Sequence, residues 1–544
     1  MAIAAILLCA ALSAAVLLWT DSQLINLLRA HRIRLFLVIL LALVFRIPRE
    51  GPFFHGLEYE DSYVYTAAAR HLLSGGRIGQ TPYLTSLCSV GSIAECRNSE
   101  TYSGHFVGYP YAIVLTAKAI GYGPYVGNVV SIVSGCVGLV LVFAAVVLIT
   151  SDPLAATLAA ATLAMTPVFC TFGTSSSAEP FSSVWVSLLL LLFIRYCGTT
   201  TTRRHPRWST WPAAVFGLNL VAAALVKREN LLVGLVPLAV ALSGAVRVPW
   251  GRPGSRRAVA WSLAVVGALA FGLFVMDLNA VIGHETAEYA RFPFSLSFAR
   301  ALLPAFFRSF SQVEWYGPTF ALVLAGAARA CWRRDLGLYP FATLCAFILV
   351  YATHVRSYYF IQAEPVTAGD AVRYSMNLMG VWAVAAGYGA TFLTGWVSAL
   401  FRSAKGRAGL WIFGGLTAFV SYATTDRLRA DLIDEELRIR IKPAMVAARI
   451  AEKTGSPVVT LEPLLVQIYA PISTKVLALY DLDAALLAQM KQEGVSEFIL
   501  LEHNTYNNPA DARRYANALK TLRPLAAETI YTDENCTIRR LTTR

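Results

Sequence analysis

Ionisable residues recur at the ends of apolar runs in this chain, and their types suit group transfer. Glu58, Glu60 and Asp61 follow one such run, Glu179 precedes another, and Lys227, Arg228 and Glu229 close a third. His284 and Glu285 come next, then Glu364, Asp370 and Arg373. A carboxylate at a water boundary can take the proton of an attacking hydroxyl. Guanidinium and ammonium groups can hold a phosphate and stabilise it as it departs. Charges at a membrane boundary are costly unless they face an aqueous cavity, which makes this set a functional candidate. A polytopic transporter or flippase of a lipid-linked or anionic substrate would gather charges in the same way, and stands as the alternative.

The elements that must position these groups are membrane helices. The 544 residues are 56% hydrophobic and only 15% charged, with a mean hydropathy of +0.55. A soluble protein carries roughly a quarter charged residues, and here the apolar surplus falls in blocks of bilayer-spanning length. A soluble globule is excluded. The net charge of +13 is spread over turns between spans, as the positive-inside rule requires, so no nucleic-acid partner is expected. One alternation places every basic turn inside: Arg29, Arg32 and Arg34; Arg203, Arg204 and Arg207; Arg247 to Arg257; Arg333 and Arg334; Arg402, Lys405 and Arg407. It gives about twelve spans, among them 35–47, 125–150, 154–170, 181–196, 211–226, 336–353, 376–400 and 410–422. The apolar stretch 2–19 has no charged segment before it and reads as a further membrane helix rather than a cleaved signal.

The predicted architecture is a polytopic α-helical membrane protein with a C-terminal extracytoplasmic α/β domain. Residues 1–34 form the N-terminal membrane helix and a basic cytoplasmic segment. Residues 35–424 form the membrane domain, with outer loops at 48–123 and 283–316. In the first loop, 109–120 is apolar but short and is expected to lie along the interface. Residues 425–544 turn charged, with an amphipathic helical stretch (432–453), β-like runs at 457–461, 475–479 and 497–501, and helical segments at 484–492 and 510–522. That alternation predicts a small, partly parallel sheet. No Gly-rich phosphate loop follows a strand, so no nucleotide site is expected there. Most of the nine cysteines, such as Cys136, Cys170 and Cys345, lie in apolar spans and read as small buried hydrophobes. Cys88 and Cys96 share a polar loop and are the disulfide candidate.

Local patterns go further. Glu60-Asp61-Ser62-Tyr63, then Ala67-Ala68-Ala69-Arg70 and Gly75-Gly76, resembles the acidic pair and following helix of GT-C glycosyltransferases. The branch it resembles contains the protein O-mannosyltransferases and the lipid A aminoarabinose transferase. His105 with Gly108-Tyr109-Pro110 is similar to the segment that opens the next part of that loop. Ser177-Ala178-Glu179-Pro180 is similar to the family's outer-face acid, and Lys227-Arg228-Glu229-Asn230 to a Lys/Arg-Pro-Glu turn, with the proline absent. Val372-Arg373-Tyr374 resembles a late Arg-Tyr before a terminal span.

The resemblance covers roughly residues 35–400 and implies a GT-C-like fold, a polyprenyl-phosphate sugar donor and a single inverting displacement. The acceptor is a lipid, glycan or protein, reached on the outer face of a membrane, expected to be the bacterial inner membrane. The base is Glu60 or Asp61, because the family's order of the two acids is reversed here. Lys227, Arg228 and Arg373 would hold the donor phosphate, and Glu58, Tyr63, His105, Tyr109, Glu179, Glu229 and Tyr374 would line the pocket. A divalent metal has candidate ligands in His105, His284 and Glu285, without close spacing. Each feature also has a plainer reading: Glu60 and Asp61 as first-turn acids of a helix, Lys227 and Arg228 as interfacial anchors, Glu179-Pro180 as a helix start.

Overall fold

The computed structural model describes residues 2–46, 60–73, 108–195, 210–234, 236, 296–317, 319–353, 376–461, 463–471, 474–479, 482–503 and 512–543. Its helices are α1 (Ala2–Thr20), α2 (Ser22–Ala30), α3 (Arg32–Arg46), α4 (Glu60–Leu73), α5 (Gly108–Ile120), α6 (Val126–Thr150), α7 (Pro153–Met165), α8 (Pro167–Phe172), α9 (Ala178–Phe193) and α10 (Thr210–Val226). They continue as α11 (Leu296–Ser311), α12 (Val313–Tyr316), α13 (Thr319–Arg333), α14 (Leu338–Thr353), α15 (Met379–Arg402), α16 (Ala404–Glu436), α17 (Lys442–Thr454), α18 (Pro463–Tyr469), α19 (Ala484–Gln492) and α20 (Ala512–Leu522). The chain divides into two compact units, Met1–Pro52 with Val129–Leu428, and Phe53–Asn128 with Arg429–Arg544.

The first unit is a helical bundle and marks an integral membrane protein. Among the described residues, stretches at Ile3–Thr20, Val126–Thr150 and Met376–Arg402 are long and apolar enough to cross a bilayer, and four shorter apolar helices accompany them. The expected span 154–170 is broken. Pro167 has no N–H to continue the ladder, and Thr166 before it takes ψ 118°, so α7 stops and α8 begins. Helices pack closely where side chains are small. A Cβ on Gly326 of α13 would lie 2.6 Å from the carbonyl oxygen of Ala385 on α15, an approach that only glycine permits. The first half of α15, from Met379 to Ala390, is buried, whereas Phe392 and Trp396 further along are exposed. Cys170 is buried, but Cys345, expected to be buried, is exposed on α14.

The second unit joins the first loop to the C-terminal segment. Strands β1 (Val458–Thr460), β2 (Val476–Ala478), β3 (Glu497–His503), β4 (Ala526–Thr532) and β5 (Cys536–Thr542) form one sheet in the order β2-β1-β3-β5-β4. β1 runs parallel to β2 and β3, while β5 pairs antiparallel with β3 and β4. The β4–β5 register shifts between Thr529 and Tyr531. Side chains alternate between faces with period two. Val458, Ile499 and Leu501 enter one core with Ala444, Ala448 and Leu465. Val459, Phe498 and Leu500 enter the other with Leu486, Met490 and Ala518. Tyr63 and Ala67 of α4 belong to the first of these cores. α17 ends at Gly455, whose φ of +68° is the left-handed cap that glycine adopts without strain.

Candidate active site

The charged residues at the helix ends of the first unit come together. Glu179 sits in the first turn of α9, where the capping hydroxyl of Ser177 accepts from its N–H. Lys227 follows the last residue of α10, and Arg228 to Leu231 form a single 3-10 turn. The Lys227 ammonium donates to Glu179 Oε1 at 3.0 Å and lies 3.9 Å from Glu229 Oε1. Ser177 Oγ also donates to the Glu179 carboxylate. Tyr351, near the end of α14, donates its hydroxyl to Glu229 Oε1 at 2.9 Å.

A layer of amides supports these groups. Asn230 Nδ2 donates to Ser182 Oγ at 2.8 Å and to the Ala223 carbonyl at 2.9 Å, while Asn377 Nδ2 donates to Asn230 Oδ1 at 3.0 Å. Asn377 lies in the 3-10 turn that leads into α15. Thus the start of α9, the end of α10, the end of α14 and the approach to α15 share one end of the bundle. At the far end of α9, Arg195 Nε pairs with Asp21 Oδ2 at 2.5 Å, and Asp21 caps α2.

Glu179 and Lys227 are almost fully buried, at 2% and 6% side-chain exposure. Burying charge is tolerated when it is paired and hydrogen-bonded, and this cluster meets both conditions. Two carboxylates and one ammonium sum to a formal charge of −1. Lys227 is therefore held as a fixed cation between acids. In the same unit the guanidinium of Arg46 lies 4.4 Å over the ring of Phe169 and donates to the Ala42 carbonyl at 3.2 Å.

In the second unit Glu60 and Asp61 are the first two residues of α4, and positions 62–71 along it are buried. The Tyr63 ring lies under the Arg440 guanidinium at 5.2 Å. Tyr109 is fully buried on α5, donates to the Gly127 carbonyl at 3.0 Å and meets Tyr65 edge to face at 5.3 Å. Both rings thus pack within the unit. Glu58, His105, Arg373, Tyr374, His284, Glu285, Cys88 and Cys96 lie outside the described residues, as do Glu364 and Asp370 and the side chains of Glu60, Asp61 and Arg228. Among the described residues no three His, Cys, Asp or Glu side chains gather to hold a metal.

Neither Tyr351 nor Asn377 stands out in the sequence, and Ser177 and Asn230 enter only as members of the motifs around Glu179 and Lys227. A signal existed for the first two, since Tyr351 and Asn377 are polar groups at the ends of apolar runs. Such a residue needs a partner.

No protein-family model and no curated protein matches the sequence. The fold is that of GT-C glycosyltransferases. ArnT from Cupriavidus metallidurans, solved bound to undecaprenyl phosphate, superposes with a TM-score of 0.57 over 94% of this chain and 98% of its own, at 12% identity. The archaeal oligosaccharyltransferase AglB from Archaeoglobus fulgidus, in complex with an inhibitory peptide and a dolichol-phosphate, gives 0.52 over 86% of this chain and 69% of its own, at 12% identity.

Proposed function

We propose that the chain is a membrane glycosyltransferase that moves a sugar from a polyprenyl-phosphate donor to a lipid, glycan or protein acceptor on the extracytoplasmic face. The buried Glu179–Lys227–Glu229 cluster, set where four helix ends meet, carries the reading. The fold shared with two proteins solved with polyprenyl phosphates supports the donor class. In the proposed reaction Lys227, oriented by Glu179, acts with Arg228 and Arg373 on the donor phosphate. Because Lys227 already faces two carboxylates, the two arginines supply most of the charge the phosphate needs. Glu60 or Asp61 takes the proton of the acceptor hydroxyl as its oxygen attacks the anomeric carbon. The bond from that carbon to the phosphate oxygen breaks, its electron pair leaves with the phosphate, and the configuration inverts. Glu179 and Glu229 act here as positioning residues.

The test incubates purified protein in lipid with a panel of polyprenyl-phosphate sugars. Wild type consumes one donor, and Glu60→Ala or Asp61→Ala, whichever removes the base, retains it. A wild type that consumes no donor while lipid-linked sugar crosses the bilayer would sink the reading in favour of transport.

A further inference from the structure

Arg70 lies in the last turn of α4 and is, among the described residues, one of the largest fully buried side chains. Its partners lie four hundred residues further along the chain. Nη2 donates to the carbonyl of Ala470 at 3.3 Å and to that of Pro471. Those carbonyls follow α18 directly, and the Ala470 N–H still bonds back to Val466 at 2.9 Å. Carbonyls at a helix end lack intrahelical donors and carry partial negative charge, so a guanidinium is a fitting partner for them. The same helix supplies Tyr63 and Ala67 to the core formed by α17, α18 and the sheet. Tyr122, at the close of the first loop, is half-buried with its hydroxyl covered, and desolvation raises that phenol well above the ordinary range, against the opposing pull of the Arg70 charge. Among the described residues the Arg70 Nε–H makes no hydrogen bond. The arginine is thus committed to one pair of carbonyls.

We infer that the C-terminal α/β domain is the positioning element for the acidic pair, with Arg70 as the residue that fixes helix α4 to it. From Glu60 to Arg70 the helix rises about 15 Å, a rigid lever whose far end bears the two acids. A helix held by core contacts alone can slide or rotate along an apolar surface. A buried guanidinium that must meet two particular carbonyls sets both its rotation and its register, because leaving them unpaired is costly. The catalytic half of this inference rests on the reading of Glu60-Asp61 as the source of the base. Arg70 itself is a positioning residue.

Hydrogen exchange on the full-length protein in lipid nanodiscs tests the clamp without requiring turnover. Arg70→Ala should speed exchange of the α4 amides tenfold or more while those of β3 stay within twofold of wild type. Arg70→Lys, which keeps the charge but not the fork, should fall between, and carries the test if the alanine variant does not fold. In the donor assay Arg70→Ala should lower kcat at least tenfold with the donor KM unchanged, and Arg70→Lys should restore part of it. Unchanged α4 exchange in Arg70→Ala overturns the inference, and so does a wild-type kcat alongside faster exchange. If wild type consumes no donor, the sugar-transfer reading falls, while the exchange result still decides whether Arg70 fixes α4.

Discussion

Replacing the two members of the buried pair singly and together measures how far the cluster acts as one unit. At 3.0 Å the Lys227–Glu179 attraction is about 5 kcal/mol at an effective dielectric near 20, much of it offset by desolvation of both groups. Removing one partner of a buried pair costs about 3–5 kcal/mol, because the other is left uncompensated. Glu179→Gln leaves Lys227 with Glu229 at 3.9 Å, so its loss should sit near the lower figure. Lys227→Met leaves both carboxylates without their cation and should approach the upper one. In the double variant only Glu229 has lost the Lys227 cation, and it keeps the Tyr351 hydroxyl. The double variant's loss should therefore fall short of the sum of the singles by at least about 2 kcal/mol. Reversible unfolding in mixed micelles, followed by tryptophan fluorescence, reads all four proteins. Losses that add to within about 0.5 kcal/mol would refute the coupling.

The far end of α9 gives a second case: Asp21→Asn keeps a good cap for α2 but breaks the paired contact with Arg195, and should cost about 1–2 kcal/mol in the same unfolding measurement. Gly326→Ala, whose Cβ meets a carbonyl oxygen at 2.6 Å, should lose about 1–3 kcal/mol. Gly395→Ala on α15 meets nothing within 4 Å and should gain up to about 1 kcal/mol, so a matching loss there would undo the packing argument. In the α/β domain, burial pushes the His503 imidazole down to about 4, with Arg440 adding to the effect and the contact with the Ile439 backbone opposing it. The unfolded chain takes up this proton near pH 6.5, so stability is full above that value. It should fall by about 3 kcal/mol as the pH drops from 6.5 to 4, then level off. Exchange protection of β3 across this range should show the loss, and His503→Gln should abolish it.

Much of the helical framework is written in hydropathy. The run 109–120 appears as α5 at Gly108–Ile120, and 484–492 is α19. Polarity is a poorer guide to where a helix stops. The expected span 410–422 lies inside α16, which continues to Glu436 because Arg, Leu, Ala and Glu sustain helix after the unbroken apolar run has ended. The β4–β5 hairpin escaped notice since β4 is largely exposed and β5 breaks its apolar residues with Thr537, Arg539 and Arg540. At the site, Glu179, Lys227 and Glu229 stand out as charges at the ends of apolar runs. Their partners do not, because Tyr351 meets Glu229 across 122 positions and Asn377 meets Asn230 across 147. Nor does linear order reveal that α4 belongs with a sheet four hundred residues away, since Tyr63 and Ala67 read only as one face of a helix.

The break in pairing between Thr529 and Tyr531 falls on β4, the outermost strand at its side of the sheet. Such an irregularity twists a border strand and interrupts the even comb of amides and carbonyls that an incoming chain would need. An added strand would find only the short stretch Ala526 to Thr529 in step before losing register. The β4 border is therefore a poor template for extending the sheet with a strand from another copy.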